Sequence, residues 1–529
     1  MVVLGKILSK SFITTPIFYV NANPHIGHLY TAFLADAAHR WQKLTMGTST
    51  DKAILSTGTD EHGLKVQRAA TESGMPTQSL CDLVSQRFRA LFDAGNIDYT
   101  HFIRTTDETH ERLVQSIWLQ LHDKGYLCKS TYEGWYSVPD ETFLLDSQLT
   151  DGDEPGSKVS KETGHKCEWS LEENYMFKLS LFRERLLKWI TKKPYPIIPD
   201  YARHFVIGYL TEEGGLNDLS VSRPLSRLQW GIRVPNDEEH TVYVWLDALV
   251  NYLTVSGYPN PGHLWPATDH VIGKDIMKFH CIYWPSFLMA LDVELPSRIV
   301  VHSHWTMDKS KMSKSKGNVV DPFDRLETHG ADKLRYFLLK EGSLHHDGDY
   351  HDSRLAQLAN ADLADTFGNL LSRATATKLH PPEIKLCIDP NHLMKDGKEL
   401  LESLQRLSTT VNNCYSSYEF GRGISSIMEC LHMANRFFGR HKPWTLVPNP
   451  DSHAHLGTVL AVSMETLRLC SILLSPIIPD SSSKILQRLG MSSESIGPED
   501  LKFCMDRDFT GAPIVVGGSP MFSKKVYDK

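Results

Sequence analysis

The sequence predicts a mixed α/β chain: a parallel-sheet domain split by an insertion, followed by an all-helical bundle. Three observations predict it. Strand-like apolar runs alternate with helical ones as far as about Gly125, the pattern of a parallel sheet with crossover helices. Residues 126–240 break that alternation with many aromatics and an acidic, turn-rich piece, "LTDGDEPGSKVSKETGHK", and the α/β pattern then resumes in "HTVYVWLDALVNYLTV", "DHVIGKDIMKFHCIYWPSFLMA" and "SRIVVHSHWT". From about Ala356 to Leu489 the apolar residues follow a helical period almost throughout.

At 529 residues the chain exceeds one ordinary domain, and with 41% hydrophobic and 22% charged residues it has ample material for cores. No run of about 18 apolar residues stands out, so no membrane insertion is expected. The net charge of −7 excludes a protein that coats nucleic acid non-specifically, but leaves room for a local basic surface that grips one RNA. Nine cysteines are scattered without any CxxC, which favours free thiols in a reducing compartment over a disulfide framework or a zinc site. Lys6, Ser9, Lys10 and Ser11, with no acid before Asp36, resemble the end of a mitochondrial targeting segment over residues 1–10.

The first strand–turn–helix unit is "TTPIFYVNANPHIGHLYTA". Ile17, Phe18, Tyr19 and Val20 suit a buried strand. Asn21, Asn23 and Pro24 read as a turn, with Pro24 at or near the first helical position. His25 and His28 then share one face of the first helical turn, where unpaired amides and the helix dipole favour a phosphate. An isolated HxxH is more often a capping or surface pair. The strand "KAILSTG" leads into "DEHGLKVQRAATESG", and in it Asp60, Glu61 and His62 are adjacent, so they point in different directions and no metal site is expected. Trp245, Ala248 and Tyr252 fall at i, i+3 and i+7 on one helical face, which also suits plain core; Ile276 and His280 are i and i+4.

Later, "DKSKMSKSKGNVVDP" places Lys309, Lys311, Lys314 and Lys316 around small Ser313 and Ser315, with Gly317 after them. Long cations on a flexible loop can follow a triphosphate as its leaving group departs, though such runs usually form solvated loops. In the helical part Asn369 and Arg373 are i and i+4, and Trp444 follows Pro443 at a helix end.

PHIGH followed much later by KMSKS, on an α/β chain with a helical C-terminal part, resembles the class I aminoacyl-tRNA synthetases. The words "TTPIFYVNANPHIGH", "STGTDEHG", "YVWLDALVNYLT", "IGKDIMKFHCIYWP" and "KMSKS…GNVVDP" are similar to the methionyl-tRNA synthetase family, mitochondrial type, from about Ser11 through the helical domain. The resemblance implies a Rossmann-type catalytic domain whose halves are residues 11–125 and 241–300, split by a connective domain at 126–240. It further implies a KMSKS and stem-contact region at 301–355, an anticodon-binding domain at 356–490 and a tail at 491–529. It implies ATP and methionine as substrates, Mg²⁺ with the phosphates and tRNA(Met) as partner, in the mitochondrial matrix or alternatively the cytoplasm.

By the same resemblance, His25 and His28 would meet the ATP phosphates and steady the transition state at the α-phosphorus, and Gly27 would leave room for adenine. Lys314 would bind the β- and γ-phosphates, assisted by Lys311, with Ser313 in the same ATP loop. Asp60 would hold the methionine ammonium group, and Ile17, Tyr19, Trp245, Ala248, Tyr252, Ile276 and His280 would form its pocket. Asn369, Arg373 and Trp444 would read the anticodon. The sequence departs from the family in places. Only Cys128 and Cys167 lie in the insertion, so no structural zinc is expected; Lys316 stands where leucine is usual, and Leu249 where some members have proline. The dimerising C-terminal module of many bacterial members is not seen, and a monomer is expected. The rivals are another class I synthetase and a non-catalytic tRNA-binding relative.

Overall fold

The computed structural model describes residues 10–47, 53–137, 142–144, 146–152, 154, 156–161, 163–212, 216–260, 262, 264–312 and 318–525. Of the segment read as a targeting remnant, only Lys10 lies among them, and its Nζ donates to the Trp265 carbonyl at 2.7 Å.

The strand expected at Ile17–Val20 is the short second of two, β1 (Ser11–Thr14) and β2 (Phe18–Tyr19). Pro16 between them has no N–H to give a ladder. Both strands pair in parallel with β3 (Ala53–Asp60), and the register moves by one residue across the break, from Thr14↔Ser56 to Phe18↔Thr59. Ile17 and Val20 therefore flank the strand rather than extend it. Helix α1 (Ile26–Met46) follows, then after β3 come α2 (Leu64–Ser73), α3 (Thr77–Ala94), β4 (His101–Arg104) and α4 (Glu108–Asp123).

The insertion is built on a long antiparallel ladder between β5 (Leu127–Ser137) and β9 (Lys166–Phe177), flanked by β6 (Thr142–Leu144), β7 (Leu149–Asp151) and β8 (Lys158–Ser160). Cys128 lies opposite Met176 and Cys167 opposite Ser137, so the two thiols sit at opposite ends of the ladder. The chain then leaves this sheet through α5 (Arg183–Thr191), β10 (Ile197–Ile198) and α6 (Asp200–Thr211). It returns in β11 (Leu219–Ser220) and forms a small sheet from β12 (Ser222–Pro224), β13 (Arg233–Val234) and β14 (Asp237–Val242). The span 126–240, expected as one insertion, thus lends β10 to the parallel sheet, where Ile197 pairs with Ile299. Two residues are too few to show a strand period in sequence.

The second half supplies α7 (Val244–Ser256), β15 (Asp269–Gly273), α8 (Trp284–Ala290) and β16 (Ile299–His302). In the parallel sheet β1 lies between β3 and β15; β4 pairs with β3 on one flank, and β16 and then β10 follow β15 on the other. The order runs outward in both directions from β1, which opens a crevice beyond the carboxyl ends of the strands. Next come β17 (Trp305–Met307), β18 (Ser310–Lys311), α9 (Pro322–His329), α10 (Ala331–Glu341) and β19 (Gly348–Asp349).

The helical part begins with α11 (Asp352–Leu358), which runs through a π-helical stretch, Ala359–Gly368, into α12 (Asn369–Ala374). Helices α13 (Lys395–Ser416), α14 (Phe420–His441), α15 (His453–Leu474) and α16 (Pro479–Arg488) complete it. The stretch Pro450–Leu474 has the length and hydropathy to cross a membrane, yet its apolar part, Leu456–Leu474, is buried as the bundle's central helix. Its buried Arg468 is paired with Glu465 at 2.7 Å and donates to the carbonyls of Asp500 and Lys502. The tail folds back over the bundle and buries Phe509 and Phe522.

A buried ion pair helps to hold the two parts together. Asp36 of α1 and Arg335 of α10 are both fully buried, and the same guanidinium donates to the carbonyls of Pro476 (2.8 Å) and Ile477 (3.0 Å), between α15 and α16. Asp36 also accepts from Arg40 Nε and from the Asp98 amide, each at 2.8 Å. Removing one partner of such a pair leaves an uncompensated buried charge. Arg335→Met is expected to destabilise the fold by about 3 kcal/mol, read as a lowered urea midpoint, whereas Arg112→Met at an exposed pair should change it by under about 0.5 kcal/mol.

Candidate active site

Helix α1 starts at Ile26, not at Pro24, and His25 is its N-cap. The two histidines therefore occupy the cap and the third helical position, and they complete a reciprocal capping box. The Gly27 amide donates to His25 Nδ1 and the His25 amide to His28 Nδ1, both at 3.1 Å. Their rings stack with centroids 3.7 Å apart. The Ile26 amide meets the Val320 carbonyl at 3.3 Å. The first amides of the helix thus have partners already, and this corrects the expectation that they stand open for a phosphate.

What the helix end offers instead is imidazole. A nitrogen that accepts a backbone N–H carries no proton, so each ring keeps its proton on Nε2 and presents a neutral N–H donor. Burial pushes His28 well below the usual histidine range, and the neighbouring His25 pushes it further, against a weaker raising effect of Asp275. Phe18 and Phe88 pack on its ring at 5.2 and 5.3 Å. A Cβ at position 27 would lie 2.9 Å from His25 Cε1, so the space at Gly27 is filled by the folded-back imidazole.

Beyond the carboxyl ends of β1, β3, β15 and β16 lies a cavity of about 530 Å³. His25, Gly27 and His28 form one wall, and Asp60, at the last position of β3, another. Ile17, Tyr19, Trp245, Ala248, Tyr252, Ile276 and His280 all line it, so every residue assigned to the amino-acid pocket converges there. Trp245 stacks flat on Phe279, with centroids 3.5 Å apart. Tyr252 Oη lies 2.8 Å from His280 Nε2, and His280 Nδ1 lies 3.1 Å from the Ile276 carbonyl. The carbonyl can only accept, so Nδ1 bears the proton and the Tyr252 hydroxyl donates to Nε2. Burial takes His280 down to about 4 and pushes the Tyr252 phenol up.

Residues 11–375 match the family model for class I tRNA synthetases (M), and residues 397–510 match that for the anticodon-binding domain of tRNA ligases. The chain is 45% identical to the mitochondrial methionine–tRNA ligase of Homo sapiens, covering 93% of this chain and 86% of that one. It is 46% identical to the mitochondrial enzyme of Takifugu rubripes, covering 97% and 89%. The Mycobacterium tuberculosis methionyl-tRNA synthetase in complex with methionyl-adenylate superposes with a TM-score of 0.89 at 35% identity, over 98% of this chain and all of that one. The chain belongs to the methionyl-tRNA synthetase family.

Other parts of the family motifs are distributed unevenly over the structure. Met312 of KMSKS lines the cavity, but Ser313, Lys314 and Lys316 lie outside the described residues, and of Lys311 only the backbone, in β18, is described. Asn369 and Arg373 project from α12, Asn369 exposed and Arg373 half-buried with its guanidinium 4.6 Å from the centre of the Phe438 ring. Trp444 is 50% exposed on the turn after α14, which packs on residues 377–379, just beyond α12.

The cavity also gathers residues that the motifs did not single out. Asp275 and Lys278 lie inside the quoted "IGKDIMKFH" block, and His302 and His304 form an HxH in "HSHW" that was visible as a signal. His302 Nε2 lies 2.9 Å from Thr31 Oγ1, and burial takes it to about 4. Gln148, Thr163 and His165 reach the cavity from the insertion, a contact no local pattern announces.

His280 and His302 are held near 4 against an ordinary 6.5, so between those values the unfolded chain binds protons that the folded chain refuses. Stability is therefore expected to fall as pH drops from about 6.5 towards 4. The thermal midpoint should be lower at pH 5 than at pH 7; equal midpoints would contradict the buried neutral state of these rings.

Proposed function

We propose that this one cavity carries both steps of methionine attachment to tRNA. The enzyme is a methionine–tRNA ligase of mitochondria: it activates methionine with ATP as methionyl-adenylate and transfers it to tRNA; we place it in the matrix and read it as a monomer. The observation that carries the site reading is the convergence of two Nε2–H donors, the buried Asp60 carboxylate and the Trp245–Tyr252 face on the same 530 Å³ space.

In this reading methionine enters with its ammonium group on Asp60 and its thioether among Trp245, Tyr252 and Ile276, where aromatic faces suit a polarizable sulfur. The neutral Tyr252–His280 pair closes the pocket without placing a charge beside the side chain. ATP enters as its Mg²⁺ complex, the cation being part of the substrate, and lies along the first turn of α1. The methionine carboxylate attacks the α-phosphorus, and pyrophosphate leaves towards the KMSKS segment, where Lys311, Ser313 and Lys314 would receive it. The two imidazole N–H groups donate to phosphate oxygens as charge builds on them, and need no reorganisation because the capping box already holds the rings. The terminal adenosine hydroxyl of tRNA then attacks the carbonyl carbon and AMP departs. In the helical domain Trp444 would stack an anticodon base while Asn369 and Arg373 supply hydrogen bonds.

His28→Ala is expected to slow methionine-dependent ATP–pyrophosphate exchange by at least about a hundredfold in kcat, with the methionine dissociation constant changed by less than about threefold. Equal losses in both would overturn the transition-state role. Trp444→Ala is expected to raise the KM for tRNA by about tenfold or more in aminoacylation, the size of one lost base stack; an unchanged KM would remove Trp444 from the anticodon site.

A further inference from the structure

The side of α7 turned away from the cavity is held by a buried network that the reaction does not use. Asp247 and Thr254, at i and i+7, share the face of α7 that meets α4. Both Asp247 oxygens are taken by imidazoles: His62 Nδ1 lies 2.7 Å from one and His110 Nε2 2.8 Å from the other. The second nitrogen of His110 lies 2.8 Å from Thr254 Oγ1. His62, Asp247 and His110 are all buried. On its other side His62 Nε2 faces the half-exposed Glu111 carboxylate at 3.9 Å.

His62 stands two residues after Asp60, so its bond to Asp247 ties the end of β3 to the helix that carries Trp245 and Tyr252. Glu61, between them, is fixed separately by Arg104 through contacts of 2.7 and 2.9 Å. Three consecutive residues thus serve three directions: Asp60 into the cavity, Glu61 to β4, His62 to α7. A buried carboxylate is costly unless its lone pairs are filled, and here charge-assisted bonds fill them only at one rotation of α7.

We propose that Asp247 is a positioning residue for methionine: bridged by His62 and His110, it sets the spacing between the Asp60 carboxylate and the Trp245–Tyr252 face, and protonated His62, with Glu111 behind it, is the form that holds that spacing. This rests on the reading of the cavity as the methionine site. The charged and titratable groups facing His62 are Asp247 from α7, Glu111 and His110 from α4, and Glu61 beside it, whose charge Arg104 offsets. Burial alone would lower the proton affinity of His62, but Asp247, then Glu111 and Glu61, outweigh it and the net shift is upward. The imidazolium therefore prevails below that raised value and is lost as pH climbs through it.

The test is methionine-dependent ATP–pyrophosphate exchange by the full chain, with the KM for methionine and for ATP measured separately from pH 6 to 8, where the methionine ammonium keeps its proton. The wild-type methionine KM should rise several-fold with pH while the ATP KM stays level. Asp247→Asn should raise the methionine KM about tenfold at pH 7, flatten its pH dependence and leave kcat within about twofold. Glu111→Gln, on the half-exposed rim, keeps the test open if Asp247→Asn does not fold: it should move the inflection to lower pH without changing the low-pH KM. Parallel rises in both KM values, a fall in kcat alone, or an unshifted Glu111→Gln profile would overturn the proposal. Wild-type protein that shows no methionine exchange would instead overturn the reading of the cavity.

Discussion

Asp36 sits in the middle of α1 with no exposure at all, and it accepts from Arg335, Arg40 and the Asp98 amide together. Because Arg335 also fills two carbonyls between α15 and α16, this carboxylate joins the central helix of the parallel sheet to the helical domain. The same helix, two to three turns earlier, is capped by His25 and His28. A helix is stiff over that length, so the docking of the bundle and the placing of the imidazoles are a single constraint. Burial of the group costs free energy that only a complete set of donors offsets, which makes the arrangement specific as well as stable.

Two helices therefore divide the labour of the cavity. Helix α1 brings the imidazole donors, and α7 brings the apolar wall. Each is held on a face or segment away from the cavity by a buried carboxylate with several donors, Asp36 in one case and Asp247 in the other. The capping box exchanges open backbone amides for ring N–H groups. Amides at a helix end attract any anion, whereas the stacked rings, pinned through their Nδ1 atoms, hold their donors in fixed places.

Much of this was legible in the sequence, for identifiable reasons. Helical period exposed the Trp245–Ala248–Tyr252 face, and the split α/β pattern exposed the two halves of the sheet. The HxxH pair was visible, but not that its Nδ1 atoms would occupy the first amides, because capping geometry depends on where the helix begins by a single residue. β10 was hidden by its length, and the break at Pro16 by the strand-forming residues on both sides of it. The contacts of Gln148, Thr163 and His165 with the cavity, and of Arg335 with Asp36, join residues far apart in the chain; no local pattern encodes them. His62, two residues after Asp60, looked like part of an ionisable cluster, and only tertiary packing gave it Asp247 as a partner.

The claim on which the rest turns is that this cavity activates methionine and no other amino acid. ATP–pyrophosphate exchange with each of the twenty amino acids, without tRNA, measures that directly. Exchange dependent on methionine alone is the expected result. Exchange with a different amino acid would contradict the assignment of Asp60, Trp245 and Tyr252 while sparing the chemistry at α1, and silence with all twenty from folded protein would contradict both.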